Sequence, residues 1–283
     1  MAQHGLIRDT IGALPILGLL AAVYLLPPDT SLSQVHHAGV LHVCLPPVDP
    51  PFVTGDSQAP GIDVEILQAL ARELGLKLAP VPEPAMGRDF NPRGWHVTRA
   101  ACEVLAGGVV ASPMTRSFLE TSPPYAQTGW ALLAPPSSPS PASGGGLGWG
   151  PSPASSGGLG QLHGRKIGVL TPPSGLDRIR LATFLRAEQV QVIIVSSAQA
   201  LVAGLREERF EVGVTEKLLA DQIATRERWV ADWLPGDQPR YPIAFGLWKG
   251  DLTLKRAMAG GLDRLARDGT VPAILARYVG HGA

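Results

Sequence analysis

The sequence has few cysteines and no excess of either charge. Only Cys44 and Cys102 occur in 283 residues, and neither lies in a C-x-x-C pair or in a Cys/His cluster with metal-ligand spacing. No zinc site or other cofactor is therefore predicted. Lysine plus arginine equal aspartate plus glutamate at 24 each, so no long-range field attracts nucleic-acid phosphates. Nucleic acid is excluded as an expected partner, and a small-molecule ligand is favoured.

An uncharged apolar run covers residues 11–26. It is shorter than the roughly 20 residues that span a bilayer, and Pro15 weakens a helix there. The run is typical of a secretory signal peptide, which we expect within residues 1–33 with cleavage before Gln34. An uncleaved N-terminal anchor is the main alternative, and a buried core helix is a third interpretation. The first two interpretations predict an exported protein, located in the periplasm.

Export determines how the two cysteines are interpreted. In an oxidising compartment Cys44 and Cys102 can form a disulfide, whereas in the cytosol they would be two small buried hydrophobic residues. The residues alone leave both interpretations open.

Glycine and proline are concentrated in one segment. Residues 135–160 contain 6 Pro, 8 Gly and 7 Ser with no charge, and residues 139–150 repeat as 151–162 with nine identities in twelve. Such a composition buries too little apolar surface to offset the entropy lost on ordering. We therefore predict a disordered insertion over residues 135–161.

Short apolar strands alternate with helices on both sides of this insertion. Before it, a strand pattern at 40–45 precedes a helical pattern at 62–74; after it, strand patterns at 166–170 and 190–195 flank a helical pattern at 175–187. This order is typical of open α/β lobes, and two such lobes create a cleft that can bind a ligand.

Several segments, in this order and spacing, resemble the bacterial extracellular solute-binding proteins that serve amino-acid ABC importers. The segments are Pro50-Pro51-Phe52, Gly61-Ile-Asp-Val-Glu-Ile, Ala106-Gly-Gly-Val, Ser122-Pro-Pro-Tyr, Leu162-His-Gly-Arg-Lys-Ile, Trp248-Lys-Gly-Asp-Leu and Leu265-Ala-Arg-Asp-Gly-Thr. The resemblance covers most of residues 39–280. It implies that the protein delivers a small solute, such as an amino acid or a related polar molecule, to the permease of an ABC importer.

The resemblance also implies a domain organisation. The fold would be a two-lobed α/β periplasmic-binding-protein fold of type II, with two strands crossing at the hinge. Residues 39–134 and 238–283 would form the first lobe and residues 162–237 the second. In the strand order 2-1-3 expected of the first lobe, Cys44 and Cys102 would lie near the starts of neighbouring strands.

Ligand-binding residues follow from the same resemblance. Those implied are Phe52, which would stack on the ligand, Gly108 and Val110 in the central segment, Arg116, which would bind a carboxylate, Ser174 and Gly175 at a helix N-terminus, and Glu216, which would bind an α-ammonium. Alternatively, Phe52 packs under its own loop and Glu216 is a carboxylate at a helix start. In an ungapped alignment the family's arginine falls on Thr115, and one residue along a helix is a rotation of about 100°.

Two alternative functions belong to the same superfamily. Val43-Cys44 and Ala101-Cys102-Glu103 are similar to segments of the periplasmic partners of quinoprotein alcohol or methanol dehydrogenases. An enzyme resembling the periplasmic cyclohexadienyl dehydratases would need a positioned acid or base in the cleft, for which Glu216 and His96 are candidates. The sequence favours a non-catalytic binding protein over both.

Overall fold

The computed structural model of the protein describes residues 29–86, 92–136, 162–171 and 176–280. Nearly all of the predicted insertion and leader lies outside these ranges. The helices are α1 (Ser31–Ala38), α2 (Ile62–Glu73), α3 (Pro113–Phe118), α4 (Arg178–Ala187), α5 (Ala198–Arg206), α6 (Lys217–Glu227), α7 (Leu252–Arg267) and α8 (Thr270–Val279). The strands are β1 (Val40–Leu45), β2 (Lys77–Pro82), β3 (Val104–Leu105), β4 (Glu120–Thr121), β5 (Ala126–Thr128), β6 (Trp130–Ala134), β7 (Lys166–Leu170), β8 (Gln191–Val195), β9 (Val212–Glu216), β10 (Val230–Trp233), β11 (Tyr241–Ile243) and β12 (Gly246–Leu247).

Two five-stranded sheets define two lobes. The first sheet has the order β2-β1-β3-β12-β4, and the second has the order β10-β6-β9-β7-β8. In the first, β2 and β3 both run parallel to β1; in the second, β8 and β9 both run parallel to β7. The predicted α/β class with two lobes is confirmed.

The apolar residues of α2 recur at helical spacing and form part of the core of the first lobe. Ile62, Ile66 and Leu70 recur at helical spacing, and all three are fully buried in one apolar cluster with β1 and with helices α7 and α8. A second cluster, which includes Trp95 and Leu105, contains the two cysteines. The first sheet is thus packed between two apolar layers.

The two cysteines form a disulfide. Cys44 lies on β1, Cys102 lies two residues before the start of β3, and their Cα atoms are 5.6 Å apart. β1 pairs with β3 in parallel, so the bond joins neighbouring strands of the first sheet. Of the two interpretations that the sequence left open, the structure shows the disulfide.

The second lobe is also packed on both sides of its sheet. Leu181 and Leu185 of α4 belong to one apolar cluster, and Leu201 and Leu205 of α5 belong to another that surrounds Phe210. Because helices cover both faces, the central strands β7 and β9 are buried almost throughout.

A two-stranded antiparallel sheet of β5 and β11 forms the hinge between the lobes. β5 leads from the first sheet into β6 of the second, and β11 returns the chain from β10 to β12 of the first. Helix α6 of the second lobe also contacts the first, since Leu218 belongs to the apolar cluster of the first lobe. The two crossing strands agree with the predicted hinge.

Two boundaries differ from those predicted. The first lobe does not extend to residue 134, because β6 pairs with β9 and β10 in the second sheet and every residue of β6 is buried there. Residues 29–33, predicted to belong to the leader, are part of the folded body. In α1, the hydroxyl oxygen of Ser31 lies 3.0 Å from that of Thr253 on α7.

Across residues 29–280, apart from the gaps given above, no helix combines the length and apolar content needed to cross a membrane.

Candidate solute site

Asp63 is a buried carboxylate at the start of α2. Its Oδ2 atom accepts hydrogen bonds from the backbone N–H groups of Gly107, at 2.7 Å, and Gly108, at 3.0 Å. Its Oδ1 atom accepts a hydrogen bond from the hydroxyl of Tyr125, whose ring stacks on Phe245 with centroids 4.9 Å apart. Burial raises the pKa of Asp63 to about 6, although the three hydrogen bonds oppose this shift.

Asp49 lies in the loop between β1 and α2 and is 4% exposed. Its backbone is fixed by a 2.7 Å hydrogen bond from its N–H to the carbonyl of Val53. Its side-chain oxygen Oδ2 is buried and has no hydrogen-bond partner among the described residues. Burial, together with the negative charges of Glu216 and Asp63, raises the pKa of Asp49 to about 8.

Glu216 ends β9 and is the N-cap of α6. Its Oε1 atom accepts hydrogen bonds from the Thr128 hydroxyl and from the N–H of Leu218, at 2.9 Å; its Oε2 atom accepts one from the N–H of Leu219, at 2.7 Å. The side chain is 1% exposed. Burial raises its pKa, these hydrogen bonds lower it, and the charge of Asp221 raises it again.

These carboxyl groups come from both lobes. Asp49 and Asp63 belong to the first lobe and Glu216 to the second, yet Asp49 is within electrostatic range of both other groups. We call Asp49, Asp63 and Glu216 the acidic cluster. The described residues contain no group of three or more His, Cys, Asp or Glu side chains arranged to hold a metal ion.

A cavity of about 460 Å³ lies beside the hinge. It is lined by Pro124, Tyr125, Ala126, Gln127, Lys217, Leu218, Asp221, Trp233 and Arg240. The Lys217 ammonium donates to the Asp221 carboxylate, with Nζ and Oδ1 2.5 Å apart. The guanidinium of Arg240 lies 4.4 Å from the centroid of the Trp233 ring. This hinge cavity shares a wall with the acidic cluster, because Tyr125 lines it and also binds Asp63.

Three of the predicted ligand residues are part of the protein core. Phe52 is 1% exposed, and a Cβ atom on Gly108 would come within 2.6 Å of its ring. Only glycine fits at position 108, where φ is also 71°. Val110 is buried and bridges to Ile243. Phe52 therefore packs under its own loop and has no free face for a ligand.

The predicted carboxylate-binding arginine points outward. Arg116 is exposed on α3, while the preceding Thr115 is buried, with its hydroxyl oxygen 3.1 Å from that of Ser112. The one-residue shift has the effect expected from helical rotation. Arg116 does not line the hinge cavity.

Glu216, Ser174 and Gly175 are the remaining predicted ligand residues. Glu216 joins the acidic cluster, but as a buried N-cap, whereas Ser174 and Gly175 lie outside the described residues. Sequence reasoning assigned no role to Asp49, Asp63 or Tyr125. Asp63 and Tyr125 lie within the segments that resemble the family, and this position was the signal that could have identified them. No such signal marked Asp49.

The two lobes, the two hinge strands and the buried groups that they bring together define a two-lobed binding protein. The model of the bacterial extracellular solute-binding proteins, family 3, matches residues 41–281, and the chain belongs to this family.

Solved structures have the same fold. An ancestral cationic amino-acid solute-binding protein superposes with a TM-score of 0.69 at 19% identity, covering 88% of this chain and 99% of the other. The L-cystine solute receptor of Neisseria gonorrhoeae, unliganded and open, gives 0.63 at 16% identity, with 88% and 96% coverage. A polar amino-acid uptake protein of Streptococcus thermophilus gives 0.65 at 13% identity, with 89% and 90% coverage.

A curated enzyme matches over a shorter region. Cyclohexadienyl dehydratase of Pseudomonas aeruginosa is 37% identical over 87 residues. This match covers 29% of the chain and 32% of the enzyme. The chain therefore matches about a third of that relative's length.

Proposed function

We propose that the protein is an exported, non-catalytic binding protein that captures a small polar solute, such as an amino acid or a related molecule, and delivers it to the permease of an ABC importer. Membership of the solute-binding family supports this proposal. The solved structures with the same fold include proteins named for amino-acid binding and uptake. The family's extracellular character supports a periplasmic location.

The observation that carries the proposal is the acidic cluster beside the hinge. Asp49 of the first lobe and Glu216 of the second are buried within electrostatic range of each other. The hinge cavity is lined by Tyr125, which donates a hydrogen bond to Asp63 of the same cluster. The volume of the cavity lies within the range of small-molecule sites. A solute that contacts both lobes would favour the closed arrangement, which is the form a transporter can recognise.

A thermal-shift screen tests this proposal. The purified protein is melted in the presence of amino acids, amines, sugars and carboxylic acids, and one chemical class is expected to raise the melting temperature in a saturable way. Binding at a hundred times Kd stabilises a folded protein by about 2.7 kcal/mol. Small-angle scattering should then show a smaller radius of gyration with the solute. A screen in which no compound has an effect would contradict the proposal.

A dehydratase is the second candidate. The 37% identity over 87 residues with a cyclohexadienyl dehydratase favours it, and Asp49, with a pKa raised to about 8, could supply a proton near neutral pH. Conversion of a cyclohexadienyl compound by loss of water would create an aromatic ultraviolet band. We expect no such band above the uncatalysed rate. The proteins compared above lend no support to a quinoprotein dehydrogenase partner.

A further inference from the structure

The acidic cluster contains one carboxyl oxygen that is buried and accepts no hydrogen bond from the described residues. Both oxygens of Asp63 and both oxygens of Glu216 accept hydrogen bonds from the protein. Asp49 differs, because its buried Oδ2 atom has no partner among the described residues. A buried polar atom without a partner is costly, so a donor supplied by a ligand would be bound favourably there.

The charges around Asp49 are all negative. Its electrostatic neighbours in the structure are Glu216 and Asp63. Lys217, which follows Glu216 in the chain, is paired with Asp221, and Arg116 is exposed on α3. Among the described residues, no basic side chain contributes to the pKa shifts of Asp49, Asp63 or Glu216. A positively charged ligand group would supply the missing charge.

The same arrangement disfavours a carboxylate in the ligand. At the position where an arginine would bind it, the structure has Thr115, whose hydroxyl oxygen lies 3.1 Å from that of Ser112. A ligand carboxylate next to Asp49 and Glu216 would be repelled, and in a buried site this repulsion is weakly screened.

We propose that the solute is an organic cation that carries no carboxylate, such as an alkylamine or guanidine, and that its cationic group binds the free oxygen of Asp49 between the two lobes. This inference rests on the proposed function and narrows its solute class. Asp49 is then the residue that selects amines over amino acids. The hinge cavity, whose lining includes Tyr125, has the volume to hold the remainder of such a molecule.

Matched pairs of probes test the inference by calorimetric titration. Agmatine is arginine without its carboxylate, and cadaverine is lysine without its carboxylate, so each pair differs in that group alone. We expect at least one amine to bind at least tenfold more tightly than its amino acid. Asp49→Asn should weaken amine binding by at least tenfold, whereas Asp56→Asn, an exposed acid of the same loop, should leave it unchanged.

Other outcomes overturn the inference. Equal or tighter binding of L-arginine or L-lysine would refute it while leaving the proposed function intact, as would binding of a neutral or anionic compound in the thermal-shift screen. Binding of Ca²⁺ in competition with the amines would identify a metal site instead. If Asp49→Asn does not fold, the comparison of agmatine with arginine on the wild type decides alone. No binding by any compound would refute both proposals.

Discussion

Thr128 donates a hydrogen bond to the carboxyl group of Glu216. Thr128 is the last residue of hinge strand β5, and Glu216 caps helix α6, so this bond fixes the second lobe to the strand on which it turns. Both residues are buried. The position of α6 therefore depends on a contact made at the hinge itself.

Removal of this contact should destabilise the protein. Thr128→Val keeps the shape of the side chain and removes the donor, which leaves a buried carboxyl oxygen with one hydrogen bond fewer. Hydrogen bonds to charged groups contribute about 1.5–3 kcal/mol, and we expect a loss in that range from urea unfolding. Thr183→Val is the matched control, because the Thr183 hydroxyl donates to the Ile179 carbonyl at an exposed position. Equal effects of the two substitutions would contradict this account.

The disulfide should contribute measurably to stability. Cys44 and Cys102 are separated by 58 residues, so the bond closes a long loop in the unfolded chain. Reduction should lower the free energy of unfolding by about 2–4 kcal/mol, measured by denaturant titration with and without dithiothreitol. The double variant Cys44→Ala with Cys102→Ala should unfold like the reduced protein and should not respond to dithiothreitol. An unchanged midpoint on reduction would show that the bond is energetically unimportant.

Arg116 should be dispensable. Its side chain is exposed, and Arg116→Ala is expected to change stability by less than about 0.5 kcal/mol and solute affinity by less than about threefold. Calorimetric titration with the solute found in the screen measures the second quantity. A tenfold loss of affinity would show that Arg116 binds the solute after all.

The acidic cluster predicts that stability falls as pH rises above the acid range. Asp49 has a pKa of about 8 and Asp63 one of about 6 in the folded protein, whereas both ionise near 3.8 in the unfolded chain. Between these values the folded state holds more protons than the unfolded state, so the free energy of unfolding decreases with increasing pH. Urea unfolding should therefore give lower stability at about pH 9 than at about pH 5. Asp49→Asn should reduce this slope, and an unchanged slope would exclude Asp49 as its source.

Periodicity predicted much of the fold. The strands β1 and β7 have the predicted bounds, and the helix α2 begins at the predicted residue and ends one residue before the predicted end, because short apolar runs and helical spacing mark these elements in the sequence. The lobe of β6 was predicted wrongly, since an apolar strand can join either sheet and only the pairing with β9 decides between them.

The site could be predicted only in part. Glu216 was recognised, yet its use as a helix cap depends on Thr128, which lies 88 residues away along the chain. The exposure of Arg116 could be predicted, because the sequence shows that it stands one residue after the family's arginine position and one residue rotates a helical side chain by about 100°. Asp49 stands in a proline-rich loop without periodicity, yet its side chain is buried. No local pattern of residues in the loop indicates that burial.

Native mass spectrometry of the protein purified from its own cell envelope tests the central claim, solute binding between the lobes, most directly. We predict a second species heavier by the mass of one small molecule, which disappears on denaturation and is released in equal molar amount. Asp49→Asn should carry less of it than Asp56→Asn. A protein that shows only its bare mass, and that gains no adduct when incubated with cell extract or with the amine probes, would contradict the claim.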